Sequence, residues 1–264
     1  MRNGGMVAGT LGVLQDADAI SLFVSHTVLT HHNRLVVLYS VIHGLLVRHL
    51  LQLANQQDVP VQPFDKLFVA WLRDVCMPLW IEWCATGPAF GNKTVVCTEW
   101  LRQSGFDVDA DARRILCDKV CSQLDAAVFE QLNPYTHKTY KDQAGWCVLS
   151  MQIALWSVHW SEQPAESRIE PLPEWAQGEK GVRRHWILAG RGFEAIRMLA
   201  VIGADSDTYA AIAGPLLAAK FPDQTLKSHN AGQLRKDALI AIESVLECIY
   251  APPEEEEDDE EAND

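Results

Sequence analysis

The chain has 264 residues, of which 48% are hydrophobic and 22% charged, and its formal net charge at pH 7 is -13. Nine of the 35 acidic residues lie at positions 254–264 without a single basic residue, so the rest of the chain has 26 acids against 22 bases. A nearly neutral body without a basic stripe argues against nucleic-acid binding as the main task, and this length suffices to bury the core of one soluble domain.

Helical periodicity dominates the sequence and strand patterns are scarce. We predict helices near residues 17–31, 34–54, 64–84, 94–104, 109–131, 143–161, 190–202, 208–220 and 231–249. Asn33 precedes the second of these helices and is expected to cap it, and Asp16 and Asp18 are expected to act in capping the first. Pro60 and Pro63 prevent the second helix from continuing. The prediction is an all-α fold, a single multi-helix bundle.

The chain is expected to end in a disordered acidic tail, residues 251–264. A run of like charges without apolar partners cannot offset the entropy lost on ordering. Solubility is the simplest role for the tail, and docking of a basic partner is the alternative. The longest irregular linker is expected at residues 163–181, which contain Pro164, Pro171 and Pro173.

Neither a membrane span nor a secretory signal is predicted. Residues 35–53, the longest apolar stretch, contain His43, Arg48 and His49 and fall short of the about 20 apolar residues that a span needs. Residues 1–5 carry no hydrophobic signal core. The seven cysteines are scattered through apolar segments without a Cys-x-x-Cys pair, which is typical of buried thiols in a reducing compartment. We therefore expect an intracellular protein without a membrane role, in the cytoplasm, with the nucleus as the alternative.

The sharpest chemical signal lies where two predicted helices meet. An apolar helix ends at Gly203, and Asp205, Asp207 and Thr208 follow within five residues, just before a helix of small residues begins. Three hard oxygen ligands close together suit Mg²⁺ or Ca²⁺ and not zinc, which prefers nitrogen and sulfur. The alternative is an ordinary helix N-cap in which the acids oppose the helix dipole favourably.

Four segments of the sequence resemble one family in the expected order. Residues 203–214, Gly-Ala-Asp-Ser-Asp-Thr-Tyr-Ala-Ala-Ile-Ala-Gly, closely resemble the C-terminal metal motif of the ADP-ribosylglycohydrolase family, whose members are all-α hydrolases. Residues 2–9 resemble the family's Asn-Gly substrate loop, and residues 29–31, Leu-Thr-His, are similar to the Thr-His that closes the following helix. Residues 144–156, with Trp146 at a usually aromatic position, resemble the helix before the metal motif.

The resemblance implies two Mg²⁺ ions in a cleft of the bundle and the hydrolytic release of ADP-ribose from a modified side chain or a small acceptor. The metal ligands that it implies are Asp205, Asp207 and Thr208. The substrate-binding residues that it implies are Asn3, Gly4, Gly5, Met6 and His31. His31 would pack against the ligand, with a capping or core role as the alternative, and a core role is likewise the alternative for Trp146.

The sequence also departs from the family pattern. Residues 55–140 fit it poorly and are expected to be a divergent helical elaboration within one domain, residues 1–250. In the family, a Thr-Asp-Asp or Ser-Asp-Asp segment upstream of the Asn-Gly loop supplies the other half of the metal site, whereas this loop already begins at Asn3. Three oxygen ligands are fewer than two hard cations need, at about six positions each.

Three hypotheses follow from this departure. The first is a Mg²⁺-dependent hydrolase whose chain continues upstream of Met1. The second is a catalytically inactive relative that binds ADP-ribose or a protein partner. The third is a helical interaction domain in which the motifs are structural remnants.

Overall fold

The structure is a computed structural model that describes residues 15–54, 62–87, 95–125, 145–164, 195–196, 199 and 205–221. Helices make up 84% of these residues and no strand occurs among them, which confirms the predicted all-α class. The predicted last helix at 231–249, the tail from residue 251, most of the linker 163–181 and the predicted substrate loop Asn3–Met6 lie outside the described residues.

The described part of the chain contains eight named α-helices and one π-helical turn. In chain order they are α1 (Asp16–Val28), α2 (Arg34–Ala54), α3 (Phe64–Trp71), the π-helical turn (Leu72–Cys76), α4 (Met77–Thr86), α5 (Val95–Ser104), α6 (Ala110–Gln123), α7 (Cys147–Glu162) and α8 (Ser206–Lys220). Most predicted boundaries agree to within a few residues. The largest difference is in α6, which ends at Gln123 and not near residue 131.

The helix that was predicted as one element over residues 64–84 is interrupted by the π-helical turn. Pro78 has no backbone N–H, and its ring would clash with the carbonyl group of Asp74 in a regular α-helix. The chain widens by one residue instead, so that the N–H of Met77 bonds to the carbonyl of Leu72, five residues earlier. A proline at the second position of α4 therefore explains why one predicted helix becomes three elements.

Two predictions about helix starts had different outcomes. The Asn33 side chain accepts a hydrogen bond from the Leu35 N–H at 2.9 Å, which confirms Asn33 as the cap of α2. The capping role of the Asp16 side chain was wrong, because α1 already begins at Asp16 and follows Gln15, which makes no side-chain cap bond. Asp16 instead forms an ion pair with Arg48 of α2 at 3.1 Å.

The long helix α2 lies at the centre of the described bundle, between α1 and α8. It approaches α1 closely at Gly44, where a Cβ atom would lie 2.5 Å from the ring of Phe23. Among the described helices, it alone is long and apolar enough to cross a membrane by length and composition, and 72% of its apolar window is buried inside the protein. Packing against neighbouring helices accounts for this apolar character.

Aromatic side chains fill the core between α3, α4 and α5. Trp71, Trp80, Trp83 and Trp100 are all buried. The rings of Trp80 and Trp83 stack with centroids 5.4 Å apart, and Trp100 lies against Trp80 at 6.2 Å. The described cysteines are free thiols, buried or half-buried, and burial raises the pKa of each. These thiols are therefore protonated packing groups at neutral pH.

Candidate functional site

A cavity of about 630 Å³ opens at the end of the bundle where α2, α7 and α8 begin and α1 ends. Three of the four segments that sequence analysis singled out meet there, although they are far apart in the chain. The cavity is lined, among others, by His31, Gly145, Trp146, Asp205, Thr208 and Ile212. The helical bundle therefore brings the Thr-His turn, the start of α7 and the acidic turn before α8 to one place.

Asp205 is the residue immediately before α8 and occupies its N-cap position. Its backbone carbonyl accepts the Tyr209 N–H at 3.1 Å, whereas its side chain makes no capping hydrogen bond. A Cβ atom added at Gly145 would lie 3.2 Å from Asp205 Oδ2, so the carboxylate sits directly against the glycine backbone. Gly145 also has a φ of 80°, a conformation that favours glycine. The capping hydrogen bond of the N-cap alternative is therefore absent at Asp205, while the favourable placement of Asp205 and Asp207 against the helix dipole agrees with that alternative.

The other two predicted metal ligands are placed differently from each other. Thr208 is half-buried and lines the cavity together with Asp205. Asp207 is exposed and does not line it. Within the described residues, no group of three or more His, Cys, Asp and Glu side chains is arranged to hold a metal ion. The carboxylate of Asp205 and the hydroxyl of Thr208 are hard oxygen donors, the ligand type that Mg²⁺ prefers.

His31 lies in the turn after α1, exposed and on the cavity wall, which rules out the core alternative. Helix α1 ends at Val28, earlier than predicted, and the N–H groups of Thr30 and His31 both bond to the Thr27 carbonyl, at 3.1 and 2.9 Å. The Thr30 hydroxyl lies 2.8 Å from Nδ1 of His31. Thr30 therefore contacts the imidazole that faces the cavity.

Trp146 is the residue immediately before α7, and its large side chain is 45% exposed at the cavity. The alternative of a core role is therefore wrong for Trp146. An exposed indole at the cavity offers a flat apolar surface to a ligand. In the sequence, only the resemblance of residues 144–156 to the family pattern points to Trp146. That Gly145 and Asp205 line the same cavity as Trp146 is visible only in the structure.

His43 of α2 bonds to a residue that lines the cavity, and it was not predicted as a functional residue. Its side chain is fully buried, and its Nε2 donates a hydrogen bond of 2.8 Å to the carbonyl of Ile212, which itself lines the cavity. Burial lowers the pKa of His43 from 6.5 to about 4, so the imidazole is neutral at physiological pH. The bond ties α8, which carries Thr208, to the central helix.

A second cavity of about 630 Å³ opens at the opposite ends of α7 and α8. Its lining includes Asp65, His159 and Phe221 as well as Lys220 and Glu162, which form an ion pair at 2.9 Å. Among the described residues, none of the predicted site residues lines this cavity, so it is not the candidate active site.

The fold and the first cavity define an all-helical domain with a candidate ligand cavity where helix ends converge. Comparison with protein families identifies its kind: the family model described as ADP-ribosylglycohydrolase matches residues 2–254. The chain therefore belongs to the ADP-ribosylglycohydrolase family. The match includes the divergent region 55–140 and the predicted loop at residues 3–6. Comparisons with curated proteins and with solved structures gave no match. At the level of the family, the protein is a hydrolase-type domain for ADP-ribosylated substrates.

Proposed function

We propose that this protein binds ADP-ribose in the cavity at the start of α8 and hydrolyses its bond to a modified side chain or a small acceptor. The observation that carries the proposal is the position of Asp205, whose carboxylate makes no capping bond to α8 and lies in the cavity against Gly145. An acid with no structural capping role, in a cavity with a histidine and an exposed tryptophan, is typical of a ligand site.

In this proposal Asp205, Asp207 and Thr208 hold Mg²⁺, with Asp205 and Thr208 doing so from inside the cavity. Bound Mg²⁺ would supply orientation of the ribose hydroxyls and activation of a water molecule. The chain's own residues provide the rest. The indole of Trp146 shields one side of the ligand from solvent, and the His43 bond to Ile212 keeps the first turns of α8 in position. The proposed loop residues Asn3, Gly4, Gly5 and Met6 would bind the remainder of ADP-ribose.

The experiment compares ADP-ribose binding by calorimetry with and without Mg²⁺ for the wild type and for single variants. Asp205→Asn keeps the size of the side chain and removes the charge, and we expect Mg²⁺-dependent binding to weaken by at least about 10-fold. Asp207→Asn should weaken it less, because Asp207 does not line the cavity. Asp111→Asn is the matched control, since it removes one exposed acid from the first turn of α6. Equal binding by wild type and Asp205→Asn would refute the assignment.

A catalytically inactive ADP-ribose-binding protein is the second candidate. The observation that favours it is that no group of three or more potential metal-ligating His, Cys, Asp and Glu side chains occurs in the part of the chain that the structure describes. Incubation with an ADP-ribosylated peptide over a range of Mg²⁺ concentrations separates the candidates. Release of free ADP-ribose that Asp205→Asn abolishes supports the hydrolase, whereas tight binding without release supports the inactive relative.

A further inference from the structure

The turn after α1 contains a short chain of hydrogen bonds that ends at the cavity. The Thr30 hydroxyl donates to the Thr27 carbonyl at 3.3 Å, and the same oxygen lies 2.8 Å from His31 Nδ1. The backbone N–H groups of Thr30 and His31 bond to the same carbonyl and fix the backbone of the turn. The positions of the hydroxyl and the imidazole relative to each other are therefore set by the end of α1.

The number of protons available for these hydrogen bonds decides which ring nitrogen of His31 is protonated. A threonine hydroxyl has one proton and two lone pairs. A carbonyl oxygen can only accept, so both contacts can be hydrogen bonds at the same time only when the hydroxyl donates to Thr27 and Nδ1 of His31 carries a proton. We propose that Thr30 is a positioning residue that holds neutral His31 in its Nδ1–H tautomer, which leaves Nε2 as a hydrogen-bond acceptor in the cavity. The partner of one ring nitrogen commonly fixes the role of the other in this way.

The ligand part of this inference rests on the proposed function. Asp205 lines the same cavity, so its carboxylate oxygens and His31 Nε2 would be two hydrogen-bond acceptors in one wall. Hydrogen-bond acceptors in the cavity would bind hydrogen-bond donors of the ligand, and in a ribose unit these donors are the hydroxyl groups. The inference therefore assigns His31 to a ribose hydroxyl and not to a phosphate, which has no proton to offer at neutral pH and would meet a lone pair.

The first measurement is the tautomer of His31 in the free protein, by long-range proton–nitrogen NMR on protein labelled with ¹⁵N-histidine and assigned with His31→Gln. In the wild type and in Thr30→Ser, which retains a hydroxyl, Nδ1 should show the resonance of a protonated nitrogen at a pH where the ring is neutral. In Thr30→Val, which keeps the branched shape and loses the hydroxyl, the population should shift toward the Nε2–H form. Thr86→Val is the matched control, because it removes a hydroxyl that bonds within α4 and does not line the cavity.

The second measurement is ADP-ribose affinity for the same variants. Thr30→Val should weaken binding by about 5–10-fold, the effect of one misplaced acceptor, while Thr30→Ser and Thr86→Val stay at the wild-type value. An unprotonated Nδ1 in the wild type overturns the role of Thr30. A tautomer shift without a change in affinity overturns the assignment of His31 to the ligand. If the wild type binds no ADP-ribose, the proposed function fails, and the tautomer in the free protein still decides the role of Thr30.

Discussion

The buried histidine of α2 makes the stability of the protein sensitive to mild acid. His43 is fully buried, and its Nε2 already donates to the Ile212 carbonyl, while Nδ1 has no hydrogen-bond partner. Protonation would place a positive charge on Nδ1 in an apolar environment, and for this reason burial lowers the pKa of His43 to about 4. In the unfolded chain the same imidazole regains its ordinary pKa of 6.5.

The sign and the size of the effect follow from these two values. In the unfolded chain His43 binds a proton below about pH 6.5, whereas in the folded protein it does so only below about pH 4. Burial of the neutral imidazole therefore does not reduce stability above pH 6.5. The free energy of unfolding falls progressively as the pH falls from 6.5 toward 4. Between about pH 7 and about pH 5 this linkage lowers the free energy of unfolding by about 2 kcal/mol, and by about 3 kcal/mol at pH 4. Such a loss is a large part of the stability of a typical domain.

Urea unfolding at several pH values for the wild type and for His43→Gln measures this term. The glutamine amide can donate to the Ile212 carbonyl but does not titrate, so the variant should lose about 2 kcal/mol less than the wild type between about pH 7 and about pH 5. Other histidines and the carboxylates contribute to both proteins and cancel in the difference. His32→Gln, at an exposed position, should keep the wild-type pH dependence. A His43→Gln protein with the same pH dependence as the wild type would refute the reasoning.

Two glycines give further predictions, each with a control glycine. Gly44→Ala places a methyl group 2.5 Å from a phenyl ring of α1 and should lower the free energy of unfolding by about 1–3 kcal/mol, whereas Gly214→Ala, with nothing within 4 Å, should leave it unchanged or raise it; denaturant midpoints test both. Gly145→Ala and Gly87→Ala both force a side chain into positive φ and should each lose about 1–2 kcal/mol of stability. Only Gly145→Ala should also weaken ADP-ribose binding, because its methyl group meets Asp205 at 3.2 Å.

The positions of the helices could be predicted from the sequence because periodicity and capping are local. The cap of α2 by Asn33 is one example, since donor and acceptor are two residues apart. The errors arose where a distant partner decides the outcome. Asp16 pairs with Arg48, 32 residues away, and local sequence gives no sign of that choice. The π-helical turn was missed for a different reason: Pro78 was visible, but a proline can end, kink or widen a helix, and packing selects among these.

The candidate site could be predicted in its residues and less well in its geometry. The segment of the predicted metal motif does lie at the start of α8, but the sequence does not distinguish the positions of Asp205 and Asp207 relative to the cavity. Asp205 lines the cavity whereas Asp207 is exposed and does not, a difference that depends on how α8 packs in the bundle. His43 was missed because its partner, Ile212, is 169 residues further along the chain. Its interaction exists only after the bundle has formed.

The start of α8 explains how the cavity can hold the carboxylate of Asp205 at little loss of stability. The first N–H groups of a helix have no acceptor within it, and Asp205 immediately precedes this helix. The positive end of the α8 dipole favours the charge of Asp205 by about 0.3–1 kcal/mol. Asp205→Asn should therefore lower the free energy of unfolding only slightly while it removes binding. That separation of binding from stability distinguishes a ligand site from a structural remnant, in which the acid would contribute to neither.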